Sequence, residues 1–209
     1  MEAVTITRPR ARKGEGDQLR VEILEAAERL LLETGSEDAV SIRAVADATG
    51  VTPPSIYRHF ADKQHLLFEV CARQFDRLDD VIEAACEGID DPVEAMRARG
   101  RAYVRFGVEH PEHFRIMFMG PAYATPDDWN DLLATGSFAN LIEGLRAVAD
   151  AGLVRAATEE ELQATALHVW ANIHGLTSLL VARPTMPWPD LERFVDDHLT
   201  YCLAAHLRL

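Results

Sequence analysis

The stretch Ser41 to Lys63, SIRAVADATGVTPPSIYRHFADK, constrains the fold more than any other part of the chain. Counted from Ile42, the residues Val45, Ala46 and Thr49 fall on one side of a short helix, and Ala46 is small enough for a second helix to approach its backbone. Gly50 supplies the positive-φ residue that ends this helix and turns the chain. Val51 plugs the corner, Thr52 has the chemistry of an N-cap, and Pro53 takes the first helical position, where its missing N–H costs nothing. Ile56 faces back toward Ala46, which leaves Pro54, Ser55, Tyr57, Arg58 and His59 outward, a set of phosphate and base-edge partners. A plain helical hairpin with a polar exterior would account for Ala-xxx-Gly alone. The cap, the prolines and the Tyr-x-His-Phe tail together favour a helix-turn-helix.

The run Ser41-x-Arg43-x-Val45-Ala46, Gly50-Val51, Ser55-Ile56-Tyr57-x-His59-Phe60, Lys63 and Leu66-Leu67 resembles the DNA-binding domain of the tetracycline-repressor (TetR) family of transcriptional regulators. The resemblance covers about the first third of the chain. It implies base contacts from Arg43, Ser55, Tyr57 and His59 and phosphate contacts from Thr52 and Lys63. The sequence departs from the commonest pattern at Pro53 and Pro54, where a proline can offer a thymine methyl only an apolar touch. Such a regulator is expected to have a basic arm over 1–16, a three-helix DNA-binding domain over 17–64 and a helical regulatory and dimerisation domain over 65–209.

A net charge of −13 taken alone argues against a nucleic-acid partner. Its distribution argues otherwise. Arg8, Arg10, Arg12 and Lys13 stand against Glu2 alone before residue 14, whereas the acidic residues outnumber the basic ones two to one from Asp76 onward. The arm is too poor in apolar residues to form a core, and reads either as a solubilising tail or as a segment that tracks phosphates or a minor groove. Cys71, Cys86 and Cys202 are far apart and in no CxxC spacing, so a reducing compartment without a zinc site is expected. The basic start leads into an amphipathic helix and not an apolar leader, and no run approaches the roughly 18 apolar residues of a membrane span. The cytoplasm is the expected location.

The pattern predicts an all-α fold of about nine helices. Leu19, Ile23, Ala27, Leu30 and Leu31 recur at helical spacing from Asp17 to Gly35. A long helix from about Asp62 to Glu87 is long enough to connect a reading module to a separate body. Further helices are predicted from about Pro92 to Glu109, from Pro111 to Met119, and from Asp127 to Asp150. Thr158 and Glu161 form a capping box that opens a helix to Ala182, and a last helix runs from about Asp190 to Leu207.

The helix Leu162 to Ala182 is apolar on several sides and must be covered on several sides. A single chain has too little left to cover both it and the stripe from Leu191 to Leu203, so a homodimer through the last two helices is expected, with Leu176, Leu180, Phe194, Val195 and Cys202 at the interface. Met and aromatic residues crowd the segment that follows His110-Pro111, as either core or the wall of a pocket. Trp170-x-x-x-His174-Gly175 resembles the Trp…His-Gly signature of one subgroup of TetR-type C-terminal domains, and Trp170 and His174 share a helical face. The expected effector site is lined by Phe106, His110, Phe114, Met117, Phe118, Trp170 and His174, with His174 as its polar handle. Packed core residues are the competing reading of the same pair.

The function these features imply is a sequence-specific DNA-binding regulator, a repressor released from a pseudo-palindromic operator by a small, largely apolar ligand. A dimeric DNA-binding protein without such a ligand is the alternative. Eight histidines raise the further alternative of a helical metalloenzyme. Against it, Pro111 separates His110 from His113, His168 and His174 are six apart on different faces, and no phosphate loop, nucleophile elbow or His-Glu-x-x-His motif occurs. No metal, cofactor or catalytic residue is therefore expected.

Overall fold

The structure, a computed structural model, describes residues 15–118, 136–154 and 158–206. The described residues contain nine α-helices and no strand: α1 (Glu15–Thr34), α2 (Ile42–Thr49), α3 (Pro53–Ile56), α4 (Lys63–Cys86), α5 (Pro92–Glu109), α6 (Pro111–Phe118), α7 (Gly136–Asp150), α8 (Glu159–Ala182) and α9 (Leu191–Ala204). The basic arm up to residue 14 and the expected helical start at Asp127 lie outside the described residues. The described chain forms two compact units, and the division falls inside α4, between Gln74 and Phe75.

In the first unit each helix ends where local chemistry dictates. Gly35, at φ 61°, closes α1 and donates its N–H to the Leu31 carbonyl at 2.9 Å. Ser36 starts a single 3₁₀ turn, Glu37–Ala39, by accepting from the Asp38 N–H. Ser41 caps α2, its hydroxyl accepting from the Ala44 N–H at 3.0 Å, and Gly50, at φ 68°, ends it. Ile23, Ala27, Val45, Ala46, Ile56 and Phe60 are buried and fill the space between these helices. Asp62 opens α4 by accepting from the His65 N–H at 2.8 Å.

Two features of the turn differ from the sequence reading. Thr52 stands at the N-cap of α3 in extended conformation, yet its side chain makes no capping bond and lies 3.2 Å from the Ser55 hydroxyl. Pro54, at the second helical position, has no N–H to offer, and the Ser55 N–H at the third bonds the Thr52 carbonyl at 2.8 Å, so one usual target of a capping hydroxyl is missing and the other is taken. α3 is also short. After Ile56 the chain continues as a turn in which the His59 N–H bonds the Ile56 carbonyl at 2.8 Å, three residues back.

In the second unit α5 is the central helix, packed against α6, α7, α8 and α9. Three of its contacts need a missing Cβ. A Cβ at Gly100 would overlap Leu199, one at Gly107 would overlap Thr177, and one at Gly144 on α7 would lie 2.8 Å from the Met96 sulfur. Two apolar clusters result. One joins Leu78, Tyr103, Phe114, Leu176 and Leu199, and the other joins Met96, Leu141, Leu145, Leu162 and Val169. The capping box of α8 forms as read: Thr158 accepts from the Glu161 N–H at 3.2 Å and Glu161 accepts from the Thr158 N–H at 3.1 Å.

Candidate nucleic-acid interface and effector site

The α2–α3 turn presents its polar side chains on a buried support. Ala46 and Ile56 are essentially inaccessible, at 1% and 0%, while Arg43, Thr52, Pro54, Tyr57 and Arg58 are exposed and Ser55 and His59 partly so. The Ser55 hydroxyl sits between the Thr52 hydroxyl and the Arg58 guanidinium, at 3.2 and 3.4 Å. Tyr57 is 54% exposed, which leaves its ring and hydroxyl available to a partner. Lys63 is partly committed: its ammonium donates to the Glu37 carbonyl at 2.6 Å, leaving two of its three hydrogens for an anion. Behind this face, Arg20 pairs with Glu69 at 2.6 Å and lies over the Phe60 ring.

In the second unit the residues expected at the effector site separate into two groups. Phe114, Phe118 and Trp170 gather around the His174 ring, with centroids at 5.4, 4.7 and 5.3 Å. Tyr103 completes the group: its hydroxyl lies 2.8 Å from His174 Nδ1. Burial among these rings pushes the His174 pKa down and the Tyr103 pKa up. Phe118 in turn meets Phe75 on α4 edge to face at 5.3 Å. The other group makes no ring contact with His174, although Phe106 and Met117 share one apolar cluster with Tyr103 and Phe114. Phe106 and Met117 are buried in the core, and His110 is exposed, its ring against Phe106 and His113. Tyr103 is absent from the residues expected by sequence; the need of a buried tyrosine hydroxyl for a hydrogen-bond partner is the signal that would have pointed to it.

The expected dimer residues are rearranged as well. Leu176, Leu180 and Val195 are covered by their own chain, at 6, 5 and 6% exposure, while Phe194 and Cys202 are partly covered. The apolar side chains left in solvent are Leu167 and Leu179 on α8 and Tyr201 on α9. The sequence showed α8 to be apolar nearly all round but not which side its own chain would occupy.

No group of three His, Cys, Asp or Glu side chains is placed to hold a metal ion among the described residues, and no described helix is long and apolar enough to cross a membrane.

A solvent-facing polar turn on a buried two-helix crossing, with a second helical unit built around an aromatic cluster, defines a helix-turn-helix protein with a helical companion domain. Comparison with known proteins gives the family. A family model described as "Bacterial regulatory proteins, tetR family" matches residues 23–70, and one described as "Tetracyclin repressor-like, C-terminal domain" matches residues 96–201, half of the chain. The chain belongs to the TetR family of bacterial regulatory proteins.

Two curated relatives come from Mycolicibacterium smegmatis. The HTH-type transcriptional activator FasR is 28% identical over 102 residues, 49% of this chain and 46% of that protein. The HTH-type transcriptional regulator EthR is 32% identical over 104 residues, 48% of this chain and 44% of that one. The chain thus spans a little under half the length of the curated relatives it matches. The crystal structure of a TetR family transcription regulator from Marinobacter aquaeolei superposes with a TM-score of 0.69 at 22% identity, over 92% of this chain and 97% of the other. At that identity the superposition speaks for the fold.

Proposed function

We propose that the chain is a sequence-specific, DNA-binding transcriptional regulator and not an enzyme, released from a pseudo-palindromic operator by a small, largely apolar ligand. The observation that carries the DNA reading is the exposed Arg43, Pro54, Tyr57 and Arg58 set on the buried Ala46–Ile56 crossing. Arg43, Ser55, Tyr57 and His59 take base edges, and Thr52 and Lys63 take phosphates. The ligand acts in the second unit at the His174 cluster, and Phe75 and Phe118 pass its effect to α4, which is continuous with the first unit. A hundredfold loss of DNA affinity requires about 2.7 kcal/mol of coupling, and DNA must weaken ligand binding equally.

The active form is a homodimer through α8 and α9. Gly175 supports this reading. A glycine inside a helix costs about 1 kcal/mol relative to alanine. Gly100, Gly107 and Gly144 each allow a close approach within the chain, whereas a Cβ at Gly175 would meet open space. Its role is to let a partner's helix approach, beside the exposed Leu179. A two-fold dimer places two reading heads on an inverted repeat. Recovery and sequencing of genomic DNA bound by the protein tests the proposal: the expected result is a set of sites sharing an inverted repeat, and recovery of DNA with no shared sequence would refute it.

A further inference from the structure

We infer that His65 is a positioning residue for DNA binding: its Nδ1 accepts from the Ala61 N–H and so holds the irregular tail of the reading head onto the first turn of α4. This rests on reading the α2–α3 face as the surface that meets DNA.

The need for such a holder follows from the shape of the head. α3 is a single turn, and Tyr57 and His59 stand beyond it, in a stretch that runs to Asp62 without helix. Up to Phe60 this stretch is tied backward: the Tyr57 N–H bonds the Pro53 carbonyl at 3.2 Å, and the His59 and Phe60 N–H groups bond the Ile56 carbonyl at 2.8 and 3.1 Å. The next N–H, that of Ala61, is tied forward, to His65 Nδ1 at 3.1 Å. Asp62 completes the exchange, its Oδ1 accepting from the His65 N–H at 2.8 Å. The pair is a capping box displaced by one residue, and its acceptor at the third helical position is an imidazole where glutamate or glutamine normally serves.

The hydrogens fix the ring. An amide N–H can only donate, so Nδ1 offers its lone pair, and a neutral imidazole with a bare Nδ1 carries its hydrogen on Nε2. Nε2 lies 3.4 Å from Glu69 Oε1, the oxygen that Arg20 of α1 holds at 2.6 Å. The ring also meets Phe60 edge to face at 5.9 Å, and Phe60 is buried beneath the Arg20 guanidinium. His65 therefore joins the tail of the head to α4 and, through Glu69 and Phe60, to α1. Lys63 ties the same corner to the 3₁₀ turn by donating to the Glu37 carbonyl. A residue released from this corner would have to be ordered again on the operator, which lowers affinity without removing a DNA contact.

The test uses the full chain as the parent, His65→Ala and His65→Gln, with a labelled duplex carrying the inverted repeat recovered from the genome. By fluorescence anisotropy His65→Ala should bind the repeat about tenfold more weakly than the parent, the value of one net hydrogen bond, and a scrambled duplex equally well. His65→Gln should stay within about twofold of the parent on both, because a glutamine carbonyl is an ordinary acceptor at this helical position. Circular dichroism should show all three folded at the assay temperature. Amide exchange at Ala61 should be about tenfold faster in His65→Ala alone. Long-range ¹H–¹⁵N spectra of the parent at about pH 8, with the His65 signal assigned from the variants, should show its hydrogen on Nε2. A parent ring with its hydrogen on Nδ1 would overturn the inference. So would a folded His65→Ala that binds the repeat as the parent does, or a His65→Gln as weak as His65→Ala. If His65→Ala does not fold, the parent's tautomer and the affinity of His65→Gln decide. Equal binding of the two duplexes by the parent would overturn the DNA reading itself, and this role with it.

Discussion

The close approach of α5 and α8 aligns Tyr103 with His174, and Gly107→Ala tests it. Gly107 lies one turn beyond Tyr103 on α5, and Thr177 lies three residues beyond His174 on α8. A methyl at residue 107 would overlap Thr177 Cγ2 and stand 3.1 Å from Phe114 Cδ2. Both neighbours are at 0% exposure, so neither can swing into solvent. Overpacking of this severity costs about 3 kcal/mol, and the gain in helix propensity returns about 1, for a net loss of about 2 kcal/mol. In a chain of this size that lowers Tm by roughly 4–8 °C. The cause can be isolated, because Thr177→Ser removes Cγ2 while keeping the hydroxyl that donates to the Ile173 carbonyl at 2.8 Å. Alone it should cost about 1 kcal/mol for the lost methyl. Combined with Gly107→Ala it should give a loss at least 1 kcal/mol smaller than the sum of the two single losses. Thermal unfolding at one fixed protein concentration measures all three variants. Equal or higher stability for Gly107→Ala, or strict additivity in the pair, would refute the close-approach argument.

Two further outcomes are expected. Asp79 on α4 accepts from the Ser137 backbone N–H at the start of α7, and burial together with the neighbouring Asp76, Glu83 and Asp80 pushes its pKa up to about 6. A raised carboxyl pKa favours the protonated form in the fold, so this contribution is fully present below about pH 4 and is lost as pH rises through 6. Asp79→Asn should therefore be more stable than the parent above pH 6, by about 1 kcal/mol after allowance for solvent screening of a half-buried group, and indistinguishable from it near pH 4; equal pH–stability curves from urea unfolding would exclude the effect. Gly175→Leu, placed where the chain itself offers open space, should leave the helical circular-dichroism signal unchanged and give monomers at micromolar concentration by sedimentation velocity. A dimer as strong as that of the parent would move the interface elsewhere.

What the sequence revealed and what it hid divide by range. Gly50, Ser41, the Thr158/Glu161 capping box and the Pro111 break act over one turn of chain, so residue identity at a few positions suffices to place them. The Ala46–Ile56 crossing was legible for the same reason, the two residues being separated by a single tight turn. The α3 start was legible and its missing capping bond was not, because Pro54 removes an N–H target instead of adding one. Trp170 and His174 shared a face by spacing alone, but Tyr103 is 71 residues from His174, and only the packing of α5 on α8 brings its hydroxyl to the imidazole. The outward face of α8 was hidden because Leu167 and Leu179 differ from Leu176 and Leu180 only in what the rest of the chain covers. Asp79 gave no signal at all, since its acceptor role depends on the distant start of α7.

The central claim is that the α2–α3 face reads DNA. Its most direct test is the fluorescence anisotropy of a labelled duplex, carrying the inverted repeat recovered from the genome, titrated with the parent chain, Arg43→Ala and Tyr57→Ala over a series of salt concentrations. The account predicts that the parent binds the repeat far more tightly than a scrambled duplex, with log affinity falling linearly against log salt. Arg43→Ala should lose about 1–3 kcal/mol of discrimination at one base pair while keeping its affinity for the scrambled duplex. Tyr57→Ala should weaken binding to the repeat without changing the fold. Affinities for repeat and scrambled duplex that coincide in the parent, or variants that bind the repeat as the parent does, would contradict it.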